Sequence, residues 1–158
     1  MNSGKLNRSI NFFWFLSGIL SPVIAYSQTR VIDKHVYHLR TGNIVEWKDF
    51  KGTPRKALTV NFTAKQNGAE QALGLRQEDV KQKWTVQLNG TVLGSLQQDE
   101  AKMDTYFSIL PGILKNGKNE LLIQQVDTIA DDIRAGEIIL TNLPLNKFLQ
   151  QGFSYTCY

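Results

Sequence analysis

The stretch WTVQLNGTVLGSL, Trp84 to Leu96, restricts what this chain can fold into more than any other part of it. Two runs of alternating apolar and polar residues flank Asn89-Gly90, and alternation at period two marks strands with one buried face. Asn-Gly accepts the positive φ angles of a type I′ turn, whose twist matches that of the strands it joins. The segment therefore reads as a β-hairpin. Trp84, Val86 and Leu88 take its inward face, and Val92 with Leu93 or Leu96 supplies the partner face. A lone hairpin is marginal in water, so further strands must cover it.

The same spacing recurs through the rest of the chain. It predicts strands from His35 to Leu39, Ala57 to Ala64, Ala69 to Arg76, Trp84 to Leu88, Thr91 to Leu96, Asp104 to Ile109, Glu120 to Gln125 and Gly136 to Leu140. In ILPGILKNGKNELLIQQ, Pro111-Gly112 and Asn116-Gly117 punctuate a connection that leads into the strand carrying Leu121 and Ile123. No long run at helical period interrupts the pattern. The expected fold is all-β, a jelly-roll sandwich of about eight antiparallel strands.

The first 27 residues read differently. Lys5 and Arg8 precede an apolar run from Phe12 to Ile24, and the small residues Ala25 and Ser27 follow: the three parts of a secretory signal peptide, with cleavage expected before Gln28. The run is about 13 residues long and contains Ser17, Gly18 and Pro22, short of the roughly 20 needed to span a bilayer. The expected organisation is a signal peptide over 1–27, a sandwich domain over 28–147 and an irregular or truncated tail over 148–158. The mature domain is thus expected to be secreted or periplasmic, with no membrane association after cleavage.

Charge and cysteine content exclude several classes. Of the 18 basic residues, Lys5 and Arg8 lie in the signal, leaving 16 against 14 acidic ones with the signs interspersed. No basic stripe offers itself to nucleic acid. Cys157 is the one cysteine of the sequence, so stability must come from packing. The two histidines, His35 and His38, stand three apart in an expected strand, where alternation sends them to opposite faces. No GxSxG elbow and no phosphate-cradling Gly-rich loop occurs. The chain reads as non-catalytic.

Three stretches, Trp84 to Gly94, Pro111 to Ile123 and Asp131 to Leu140, together resemble the galactose-binding-domain-like jelly rolls of exported bacterial carbohydrate-active and hydrolytic proteins. HLRTGN, His38 to Asn43, and Glu46 to Phe50 look like the opening of the amino-terminal sandwich that precedes the catalytic domain in some secreted PHP-type metallohydrolases. The resemblance spans roughly residues 31 to 147. It implies a module that recognises sugar or packs beside an enzyme, and its partner is expected to be carbohydrate or a hydrolase catalytic domain. The alternative is that the chain is the amino-terminal fragment of a secreted metal-dependent hydrolase whose catalytic domain lies elsewhere.

Within this frame a few residues stand out. Trp47 lies in a polar stretch, where it either stacks on a sugar ring or, with Phe50, caps the open end of the sandwich. Arg76 and Asp79 belong to a polar run beside a strand end and are the expected polar contacts of any ligand cleft there. Asp131 and Asp132 concentrate carboxylate oxygens before the last strand, as a structural calcium would require or as a solvated acidic turn would contain. No other cofactor is expected.

Overall fold

A computed structural model describes residues 28–150 of the chain. Eight strands and one short helix follow in order: β1 (Thr29–Thr41), β2 (Ala57–Ala64), β3 (Gln71–Glu78), β4 (Trp84–Leu88), β5 (Thr91–Ser95), β6 (Met103–Ile109), β7 (Gly117–Gln125), β8 (Asp131–Thr141) and α1 (Leu145–Gln150). They form two four-stranded sheets, β1-β8-β3-β6 and β2-β7-β4-β5, in which every strand pair is antiparallel. Every connection but the β4–β5 hairpin passes from one sheet to the other. The expected β-sandwich is therefore present. Residues 1–27, where a signal peptide is expected, and residues 151–158 lie outside the described residues.

The two sheets share one apolar core. Trp84, Val86 and Leu88 of the hairpin are wholly buried in it, as their alternation requires, against Leu73 and Leu75 of β3 and Ile133 and Ile138 of β8. Asn89 and Gly90 both have positive φ, 53° and 83°, the signs of the expected turn. Val92 departs from expectation: it is 58% exposed, and Leu93 and Leu96 pack inward instead. The cause is a register shift between Val86 and Gln87, which changes which residues of β5 face the core.

β1 and β8 extend furthest beyond what the sequence pattern suggests. β1 begins at Thr29, and its first residues are largely exposed, so TRVIDK carries little burial pattern to read. β8 begins at Asp131, where two adjacent buried carboxylates hide the strand. The carboxyl end also differs from the irregular tail expected from residue 148. Leu145–Gln150 is helical, and its Phe148 is buried on the outer side of the first sheet, edge-on to Tyr106 at 5.2 Å. Glu70 fastens the start of this segment by accepting from the Leu145 N–H at 3.2 Å.

Candidate functional site

Strand alternation and the register of the first sheet place two rows of side chains next to each other on its outer face. One row is apolar. Val31 pairs with Ile139, Ile139 with Gly74, and Gly74 with Tyr106, so these residues cross all four strands at one level. The adjacent row is charged: Arg76 sits opposite Asp104, and Glu137 and Asp33 stand beside it. Between the rows lies a cleft of about 240 Å³.

Gly74 is what opens the cleft. A Cβ there would lie 2.8 Å from Tyr106 Cε1 and 2.9 Å from Ile139 Cγ1. The missing side chain lets the Tyr106 ring lie across the backbone of β3, an aromatic neighbour covering a glycine in the adjacent strand. Phe148 of α1 backs the same ring. The cleft thus has an aromatic wall held from behind and an aliphatic floor.

At the charged end, Arg76 Nε lies 3.2 Å from Asp104 Oδ1, and Arg76 Nη1 meets Glu137 Oε2. Asp33 is held on its far side by its neighbours: its carboxylate accepts from the His35 N–H at 2.9 Å and from the Tyr37 hydroxyl at 2.7 Å. Burial pushes the Asp33 carboxyl up, but these two bonds and the His35 ring outweigh it and hold its pKa below the ordinary carboxylate value.

A second polar cluster occupies the sandwich end where the β1–β2, β3–β4 and β7–β8 connections meet. Its centre is Asp132, fully buried beside β1. The His38 Nε2–H donates to Asp132 Oδ1, Arg40 Nε lies 3.1 Å from Oδ2, and the Glu46 N–H donates to Oδ2 at 2.8 Å. Burial works against the Asp132 carboxylate, yet these partners hold its pKa below the ordinary value. Trp47 donates its indole N–H to the Asp132 carbonyl at 3.2 Å, and the Phe50 ring stands edge-on over His38 at 4.3 Å. The segment from Glu46 to Phe50 is a strap tied down over the edge of the sheet.

Asp131 turns to the opposite side of β8, into the core. Its Oδ2 accepts from the Trp84 indole N–H at 2.8 Å and from the Gln82 N–H at 2.9 Å, and its Oδ1 from the Asp132 N–H at 3.1 Å. The two aspartates expected to share a calcium thus point apart, and each is surrounded by N–H donors. A cation at either one would have to displace them. No group of three or more His, Cys, Asp or Glu among the described residues is arranged to hold a metal ion.

The three expected ligand contacts do not come together. Arg76 lines the outer-face cleft. Asp79, at a positive φ of 62°, binds the Lys81 ammonium together with Glu46 at the strap. Burial opposes the Lys81 charge, but the two carboxylates hold its pKa above the ordinary lysine value, while contact with Asp79 raises that of Glu46. Trp47 has the Arg134 guanidinium 3.5 Å over its ring, so one face is already covered by a cation–π contact.

Sequence reasoning passed over Gly74, Asp104, Tyr106 and Glu137. Two signals pointed to the first and third: a glycine inside a strand marks a close approach, and Tyr106 alternates with the inward Phe107 and Ile109. Glu137 reads in sequence only as part of the acidic stretch that follows Asp131 and Asp132, because a bulge is what carries it to Arg76.

The chain matches no protein-family model, and no curated protein matches it. The likeness to galactose-binding-like jelly rolls and to the amino-terminal sandwich of PHP-type hydrolases rests on the motifs quoted above. No helix among the described residues is long and apolar enough to cross a membrane.

Proposed function

We propose that the mature chain is a non-catalytic accessory module of an exported protein, and that it holds a glycan on the outer face of the β1-β8-β3-β6 sheet. The cleft carries this reading. It sets the Tyr106 ring and an aliphatic row beside Arg76, Asp104 and Glu137. A sugar ring has the matching character, an apolar C–H face for the aromatic wall and hydroxyls that both donate to carboxylates and accept from a guanidinium. Eight strands in two sheets, with all but one connection crossing between them, support a jelly roll, an architecture that serves lectin domains among others.

Equilibrium binding of the mature protein to a panel of plant and bacterial polysaccharides tests the proposal, with Tyr106→Ala and Arg76→Ala as controls. Binding by the parent that either variant weakens at least tenfold supports it. No binding to any glycan at millimolar concentration rejects it.

A second reading, that the domain packs beside a hydrolase catalytic domain, is favoured by one feature. Ile44, Val45, Val126 and Ile129 are exposed on the β1–β2 and β7–β8 connections, which approach each other where Gly42 meets Ala130. Exposed apolar side chains on neighbouring loops suit a protein partner. On that reading, substituting Ile44 and Ile129 by serine leaves glycan binding unchanged and weakens association with the partner domain.

A further inference from the structure

The charged row fixes what kind of glycan the cleft can take. Three carboxylates face it, those of Asp33, Asp104 and Glu137, against the cations of Arg76 and Lys34. The Arg76 guanidinium already meets Asp104 on one side and Glu137 on the other. An incoming carboxylate or sulfate would therefore meet a guanidinium whose charge is already countered, amid an excess of negative charge. A hydroxyl meets no such obstacle, because it can donate to the same carboxylates.

The backbone is shaped to put this charge there. A Cβ on Gly136 would lie 2.0 Å from the His35 carbonyl oxygen, so only glycine allows β1 and β8 to approach so closely at this point. The next residue, Glu137, has a φ of 47°, the left-handed region that non-glycine residues rarely adopt. The ladder shifts register here on both sides of β8, between Asp33 and Val36 in β1 and between Gly74 and Arg76 in β3. A bulge of this kind re-aims a side chain, and here it turns the Glu137 carboxylate onto Arg76. A solvated surface glutamate would need no such device.

Resting on the reading of the cleft as a glycan site, we infer that it is selective for glycans without acid groups and turns away uronate and sulfated chains. The experiment measures affinity of the mature protein for neutral polysaccharides (mixed-linkage β-glucan, galactomannan, xylan) and acidic ones (polygalacturonate, alginate, dextran sulfate) at low and high salt. The expected result is binding to at least one neutral chain and at least tenfold weaker binding to every acidic one, with the gap narrowing as salt rises. D104N/E137Q, checked for folding by circular dichroism, removes two of the three negative charges beside Arg76 and is expected to raise binding of an acidic chain at least tenfold. D104N alone should show the same change to a smaller degree. Acidic chains binding as tightly as neutral ones would overturn the selectivity and leave the glycan site standing. If no chain of either kind binds, the glycan site falls and the selectivity falls with it.

Discussion

Two carboxylate clusters on the same sheet behave in opposite ways. Asp131 and Asp132 are fully buried; indole, imidazole and backbone N–H groups from segments far apart in sequence donate to their oxygens, and the Arg40 guanidinium stands beside Asp132. Asp104 and Glu137 remain about one-third exposed and meet a single guanidinium between them. A carboxylate has about four acceptor positions. Where the protein fills them the group organises the fold, and where it leaves them open the group can address a ligand. Sequence alone does not separate these pairs: adjacent Asp131-Asp132 stands out as a concentration of carboxylate oxygens, and the scattered Asp104 and Glu137 do not.

The comparison breaks most visibly at Asp131. Asp131→Ala strands the Trp84 indole N–H and the Gln82 N–H in the interior, and urea denaturation should show a loss of about 3–5 kcal/mol. A loss below about 1 kcal/mol would mean that this carboxylate does not anchor the core. Gly74→Ala comes next. The added methyl must displace Tyr106 or Ile139, at a cost of about 1–3 kcal/mol, and glycan affinity should fall with stability because the cleft wall moves.

Acid should separate the clusters further. The folded-state pKa of Asp132 lies below its unfolded value of 3.8. Its contribution to stability is therefore complete above that value and fades as pH falls through the lower, folded one. Stability measured across pH 2 to 6 should show this acid limb, and Asp132→Asn should flatten it; an unchanged limb in the variant would place the effect elsewhere.

Smaller effects sharpen the distinction. Trp47→Phe removes the hydrogen bond to the Asp132 carbonyl, so it should cost about 1 kcal/mol and leave glycan affinity unchanged. A marked loss of affinity would bring the strap into the binding site. Asp104→Asn should change stability by no more than about 0.5 kcal/mol, as expected for an exposed ion pair. Its effect belongs in the binding measurement.

The strands could be read from sequence wherever burial was one-sided. The hairpin, β2 and β6 carry clean alternation and Asn-Gly or Gly punctuation, and the structure places them within a residue or two of expectation. Reading failed where another force overrode alternation. The early part of β1 is an exposed edge whose polar residues say little, the start of β8 buries two charges, and the bulges at Leu93 and Glu137 reverse which side chains face inward. The candidate site was legible at Arg76 alone. Its other members come from β3, β6 and β8, and only the register of the sheet brings them side by side.

Phe148 ties this surface to the carboxyl-terminal side of the domain. A chain cut at Asn142 would retain all eight strands and yet lose the side chain that braces Tyr106 from behind. A helix of six residues thus supports the wall of the cleft. Anything that shifts this short helix would reshape the outer face itself, without touching a single strand.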